Sequence, residues 1–383
     1  WSYRYPWRNI FTQVIWPFYG LSYSNKRRVI NCVNVYLHSN EYRSSMAAYR
    51  SIRTKNMIKE RHLNTFVLGL LVLIPIWAYL NDEPFIITLM TRAVIFAIAA
   101  VGLNLALGIG GFISFGHAAF FGLGGYVMGI LAWHSQSYVT LIEWPIIFEG
   151  TKSMPLIWIT TIVLSALLAA IIGMISLKTT GVYFIMITLA FAQMMYYFST
   201  SWSAYGGEDG LSIYMRNSFP GLNTLDPIQF FIICCTILFI VLFFMGRLIK
   251  SPFGLALNAS RQSRQRVEAV GFDFHKLQLT AFILSGAITG LAGALFADLN
   301  RFVSPSMFSW QLSGEFIVFI IIGGVGRLFG PVIGALIFVW LEHSIGGISD
   351  YWHIFLGLIL LAIVLFGKGG IIGLVCREDT QNE

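Results

Sequence analysis

From Met57 onward the chain is a succession of apolar runs, at roughly 65–80, 85–107, 118–133, 156–177, 181–199, 228–248, 277–297, 312–325, 329–345 and 351–367. A helix needs about 20 residues to cross the hydrocarbon core of a bilayer, within a range of about 17–25. The ten runs therefore predict an all-α polytopic membrane protein of about ten transmembrane helices. The shorter runs predict helices that are tilted, broken or only partly inserted. Composition agrees. The chain is 56% hydrophobic and 11% charged, where a soluble chain is about a quarter charged.

The net charge of +7 is unevenly spread. Residues 1–56 hold nine Lys/Arg and a single acid, Glu41, while the remainder is close to neutral. The basic character belongs to this tail and carries no sign of a nucleic-acid partner. The tail has no apolar run of membrane length and differs in composition from the rest of the chain. We expect Met57 to be the natural start and 1–56 to be upstream read-through; the alternative is a basic cytoplasmic tail. This divides the chain into a tail at 1–56, a membrane domain at 57–377 and a short C-terminal tail at 378–383.

Charge also orients the spans. With the N-terminus inside, the inner segments carry Lys59, Arg61, Lys178, Arg247, Lys250, Arg261, Arg264, Arg266, Lys276, Arg327, Lys368 and Arg377. The outer segments carry only Lys152, Arg216 and Arg301. Positive residues favour the cytoplasmic side, so both termini are expected inside. Two long outer segments result: 134–155 with Glu143 and Glu149, and 200–227 with Glu208 and Asp209 beside Gly206, Gly207 and Gly210.

The largest inner segment is Ser251–Lys276. Leu255–Val270 holds no Pro or Gly, and Gly271 comes next as a stop, so one helix is expected over 255–270. On a single helix, Arg261, Arg264, Gln265 and Glu268 would share one face. Elsewhere, Gly108-Ile-Gly-Gly111 and Gly323-Gly-Val-Gly326 fall at inner span ends and should break them. Gly125/Gly129, Gly286/Gly290 and Gly330/Gly334 have the spacing that allows close helix contact in lipid.

Polar groups inside spans are costly and mark candidate paths. Asn104, Ser114, His117, Thr188 and Gln193 are such groups here, and each alone is more often a contact between helices. Arg92 lies in the second span. It either reaches the outer interface along its own stem or pairs with Glu315. Cys32, Cys234, Cys235 and Cys376 have no metal-site or disulfide spacing. There is no catalytic motif and no Gly-x-x-x-x-Gly-Lys-Ser/Thr, so the chain has no common means of hydrolysing a nucleotide itself.

Gly102-Leu-Asn-Leu-Ala-Leu-Gly108, then Gly111-Phe-Ile-Ser-Phe-Gly-His-Ala-Ala-Phe-Phe-Gly122, resembles the LivM-type permease subunits of branched-chain amino acid ABC importers. So do Leu189-Ala-Phe-Ala-Gln-Met194, Gly206-Gly-Glu-Asp-Gly-Leu211, Ser251-Pro-Phe-Gly254, Leu312-Ser-Gly-Glu315, and Gly323-Gly-Val-Gly326 with Phe329-Gly-Pro331. These matches run in order through about 85–375. Arg92 and Arg327 depart from the pattern.

The resemblance implies a multi-pass subunit of a bacterial inner membrane importer, forming half of the path for branched-chain amino acids. It implies a LivH-like second permease, two cytoplasmic ATPase subunits and a periplasmic binding protein as partners. ATP and Mg would be used by the ATPases, and this chain would bind no cofactor or metal. The 255–270 helix would couple to an ATPase through Arg261, Arg264, Gln265, Glu268 and the Gly271 stop. Glu208 and Asp209 would lie where the binding protein docks. Two alternatives remain open: a urea or short-chain amide permease of the same fold, and a self-contained secondary transporter or channel.

Overall fold

The computed structural model describes residues 62, 64, 65, 67–137 and 150–347, with isolated positions between 354 and 370. The tail, the segment with Glu143 and Glu149, and most of the run at 351–367 lie outside the described residues, as do Cys32 and Cys376. The chain divides into two units, Trp1–His62 and Leu63–Glu383, and the helices belong to the second.

Eleven α-helices are defined among the described residues: α1 (Val67–Leu80), α2 (Pro84–Asn104), α3 (His117–Ser137), α4 (Met154–Ser176), α5 (Val182–Ser201), α6 (Pro227–Lys250), α7 (Pro252–Gln262), α8 (Arg264–Ala269), α9 (Phe274–Asn300), α10 (Trp310–Gly323) and α11 (Gly330–Gly346). Five are long and apolar enough to cross a membrane: α2 with the turn after it, α4, α5, α6 and α9. The helices α1, α10 and α11 are apolar but shorter, as the sequence predicts. Several helices begin with proline in their first turn, at Pro84, Pro155, Pro227, Pro252 and Pro331. Proline fits there because the N–H it lacks would have no partner inside the helix.

The centre is built from α2 and α9. α9 packs on α2, α3 and α4, and α2 also touches α6 and α11. From Ala93 to Asn104 every residue of α2 is buried, the pattern of a helix surrounded by protein on all sides. Around it Phe96, Phe121, Phe296, Phe316 and Phe319 form a ring cluster with centroids 5.3–6.3 Å apart. By contrast α4 and α5 leave much of their apolar surface uncovered by this chain.

Glycine sets how closely these helices approach. A Cβ on Gly124 of α3 would run into the Gly290 carbonyl of α9, and one on Gly293 into the Phe121 carbonyl of α3. Of the expected pairs, Gly286 and Gly290 admit Ala169 and Ser165 of α4, and Gly330 and Gly334 sit on the end of α10. Gly125 and Gly129 differ: they accommodate the side chains of Met307 and Val303, not another helix backbone. The close α3–α9 contact on that helix belongs to Gly124, one position away.

Arg92 pairs with Glu342 of α11, Nη2 to Oε1 at 2.9 Å, and not with Glu315, the partner offered by the sequence. The guanidinium also lies 5.2 Å from the Phe96 ring centroid. Glu342 and Glu315 come from the two paired helices α11 and α10, and α11 packs directly along α2. We expect Arg92→Ala and Glu342→Ala to be non-additive in thermal stability by about 0.5–3 kcal/mol. The coupling between Arg92→Ala and Glu315→Ala should be smaller. Equal coupling in the two cycles would contradict the pairing. Cys234 and Cys235 are free and buried in α6, where they act as small apolar side chains.

Candidate functional site

The α2 span does not simply end. After Asn104 it loosens into a π turn, Leu105–Ile109, and the chain then runs without helix from Gly110 to Gly116 before α3 begins at His117. Gly111 takes a φ of +76°, which only glycine adopts at little cost. A non-helical stretch between spans must find partners for its backbone groups. Two of those partners, Ser114 and Thr188, are polar residues that the sequence singles out.

Thr188 Oγ1 of α5 accepts from the Phe115 N–H at 3.3 Å, and Ser114 Oγ accepts from the Gly116 N–H at 3.2 Å. Ser313 of α10 accepts from the Ala118 N–H at 2.8 Å, in the first turn of α3. His117 Nε2 meets Ser285 Oγ of α9 at 2.7 Å, and Ser285 donates to the Gly102 carbonyl at 2.6 Å. Asn104 holds the loop after α10 from both sides: its Oδ1 accepts from the Gly326 N–H at 3.1 Å and its Nδ2 donates to the Arg327 carbonyl at 2.9 Å. Asn104, Ser114, His117 and Thr188 are all buried. Asn104, Ser114 and Thr188 work as clamps on broken backbone, while His117 meets a side chain, Ser285. Gln193 is not part of this set: it is half-buried and five residues beyond Thr188, about 140° around α5.

The expected helix over 255–270 is two helices. Ser263 has φ −159° and ψ 110°, an extended conformation that ends α7 at Gln262 and restarts as α8 at Arg264. The Ser263 side chain makes no capping hydrogen bond there; the break goes with the packing of Val267 of α8 against Ala256 and Leu277. Arg261 therefore does not share a face with Arg264, Gln265 and Glu268. It turns inward, and its Nη1 donates to the Gly108 carbonyl at 2.6 Å. Arg264, Gln265 and Glu268 are exposed on α8, where Arg264 Nε pairs with Glu268 Oε1 at 2.7 Å and lies 4.7 Å from the Phe274 ring centroid. Gly271 stops the segment with a φ of +95°.

Both short helices are anchored. Ser251 Oγ caps α7 by accepting from the Gly254 N–H at 3.3 Å. Ala256 of α7, Val267 of α8 and Leu277 of α9 form a small buried cluster. Asp273 caps α9, accepting from the His275 and Lys276 N–H groups at 3.0 and 3.2 Å. The Lys276 amide, with Lys276's ammonium nearby, holds the Asp273 carboxyl below the usual carboxylate range. Among the described residues no group of three His, Cys, Asp or Glu could hold a metal ion.

Two broken span ends thus meet at Asn104, and one arginine of the basic segment reaches them. The family described as branched-chain amino acid transport system, permease component, matches residues 85–364, a range that holds the π turn, the clamps and both basic helices. The chain belongs to this permease family. It is similar to the protein named high-affinity branched-chain amino acid transport system permease protein LivM of Escherichia coli K12, with 24% identity over 335 residues, 80% of this chain and 74% of the relative. A probable LivM permease of Methanocaldococcus jannaschii is 23% identical over 297 residues, 70% of this chain and 81% of the relative. A probable LivH permease of the same organism is 30% identical over 140 residues, 33% of this chain and 42% of the relative. No solved structure matches the chain.

At the other end of the permease, the 200–227 segment is built rather than loose. Leu211–Ser212 pairs antiparallel with Phe302–Val303. Arg216 donates to the carbonyls of Thr224, Asp298 and Leu299 at 2.7–3.2 Å. Asp298 in turn accepts from the Asn217 N–H at 3.2 Å, and His134 of α3 meets the Tyr205 hydroxyl at 3.0 Å. Glu208 and Asp209 are exposed at the tip of this framework, on a turn whose glycines Gly206, Gly207 and Gly210 all have positive φ.

Ser285, Arg216 and Asp298 carry this geometry and do not stand out in the sequence, while Ser313 is marked there only by the resemblance over Leu312-Ser-Gly-Glu315. A lone serine in an apolar helix has no spacing signal. Asp298, an acid near the end of a long apolar run, is the one available clue.

Proposed function

We propose that this chain is one of two permease subunits of an ATP-driven importer and forms half of the path for branched-chain amino acids. The observation that carries this is the family match over 85–364, which spans both the broken helix ends and the exposed basic helix α8. The second permease would be LivH-like. Two cytoplasmic ATPases would use ATP and Mg, and a periplasmic binding protein would deliver substrate. In this reading ten spans cross a bacterial inner membrane with both termini inside, as the charge distribution favours.

Arg264, Gln265 and Glu268 would meet an ATPase, and Glu208 and Asp209 would meet the binding protein. Closure of the ATPase dimer would push α7 and α8 and switch the path from outward- to inward-facing. Backbone that is not helical is tolerated at membrane depth where it is buried in protein or lines a cavity. The side of 111–116 that shows Gly111, Ile113 and part of Phe115 is therefore our choice for the path surface. Asn104, Ser114, His117 and Thr188 would hold that surface in place from behind.

Inverted vesicles are unsuitable for a binding-protein system, so the test uses proteoliposomes carrying the assembled importer, with binding protein outside and ATP inside. Labelled leucine should accumulate only with ATP present. Uptake that survives without ATP and collapses with an uncoupler would overturn the proposal in favour of a secondary transporter. Preferential uptake of urea or short amides would overturn the substrate assignment alone.

A further inference from the structure

Among the described side chains of the basic segment, Arg261 is the cation whose head leaves that segment and bonds a membrane span. Its stem crosses Gly111 so closely that a Cβ there would meet Arg261 Cγ at 2.7 Å. Its Nη1 bonds the Gly108 carbonyl at 2.6 Å. A Cβ on Gly326 would lie 3.9 Å from the same Nη1, and Asn104 ties Gly326 and Arg327 back to α2. Three elements thus meet at one guanidinium: α7, the π turn that ends α2, and the loop that ends α10.

The placement has a physical cause. The last carbonyls of a helix lack intrahelical donors and carry partial negative charge. A π turn is a loosened helix end, common at functional sites, so Gly108 offers a carbonyl in need of a strong donor. A guanidinium bond at this length is charge-assisted and about twice as strong as a neutral one.

We propose that Arg261 is a positioning residue that transmits the movement of α7 to the broken ends of α2 and α10, and is not itself a contact for the ATPase. The proposal rests on the importer reading. Movement of α7 pulls Gly108 through Arg261, and Asn104 carries it to Gly326. The two span ends then shift as one unit beside the 111–116 segment.

The test measures leucine imported per ATP hydrolysed in proteoliposomes of the complete importer. In R261A the ATPases should still co-purify and hydrolyse ATP, while the ratio falls about tenfold, the equivalent of one charge-assisted hydrogen bond. R261K should recover part of the ratio, because an ammonium donates to the same carbonyl. G111A, which displaces the arginine stem and also strains a backbone at φ +76°, should lower the ratio too. A wild-type ratio in R261A overturns the proposal. So does loss of the ATPases on purification, which would make Arg261 a docking contact. If R261A does not accumulate in the membrane, wild-type ratios in G111A and R261K together overturn it. Failure of the wild-type importer to take up leucine would instead sink the permease reading itself.

Discussion

Replacing Gly293 by leucine is expected to leave no well-folded permease to extract from the membrane. Gly293 of α9 faces the backbone of α3 at Phe121, and a Cβ would meet the Phe121 carbonyl carbon at 2.7 Å and its Cα at 2.9 Å. The obstacle is main chain, so no rotamer change relieves it. From the other side Gly124 is equally constrained by the Gly290 carbonyl. Overpacking usually costs about 1–3 kcal/mol, and here two helices must part as well. Their separation would unseat Phe121 and Phe296, which lie 5.4 Å apart in the central ring cluster. Domain stabilities are about 5–15 kcal/mol, so the loss should show as aggregation on detergent extraction. Gly293→Ala should survive with a lowered Tm. Gly314→Ala, where nothing lies within 4 Å of the new Cβ, serves as the control and should match wild type. Equal Tm values for the two alanine variants would contradict the close α3–α9 approach.

Arg264→Glu should abolish substrate-stimulated ATP hydrolysis while insertion and Tm stay near wild type. Arg264 is exposed and pairs with Glu268 one turn on. Exposed pairs of this kind contribute about 0–1 kcal/mol, so the fold does not depend on it. The reversal instead puts two acids at i, i+4 on a helix whose exposed face is the proposed ATPase contact, and replaces an attractive patch with a repulsive one. The ATPases should be lost or weakly held, which separates this variant from R261A. Normal leucine uptake in Arg264→Glu would remove α8 from the coupling contact.

The apolar runs can be read as helices because a membrane span is a local property, set by about 20 residues of composition. The breaks at Gly108–Gly111 and Gly323–Gly326 are legible for the same reason. The α2 span loosens at Leu105 and α10 ends at Gly323. The break at Ser263 is not legible, because serine has only a weak preference against helix, and the break depends on Val267 and Ala256 both docking near Leu277. For Arg92 the sequence offers a partner by depth alone. Depth cannot choose between two acids on adjacent helices, and the lengthwise packing of α11 on α2 favours Glu342.

The polar residues show the division most clearly. Sequence marks Asn104, Ser114, His117 and Thr188 as unusual, because a hydrogen-bonding side chain in a bilayer needs a partner. It does not say whether that partner is substrate, water or backbone. The tertiary structure supplies broken backbone for all but His117, which meets Ser285 instead.

By itself, then, the sequence determined an all-α membrane protein, where its long apolar helices run, where two of them break at glycines and which segment is basic. Each of these depends on side chains within a turn or a span of one another. Only the tertiary structure decided that the two broken ends meet through Asn104, across 222 positions, and that Arg261 reaches Gly108 across 153. Such contacts depend on how closely the two ends approach, and here that is set at the break itself by Gly108, where a Cβ would meet the Gly326 Cα at 2.8 Å.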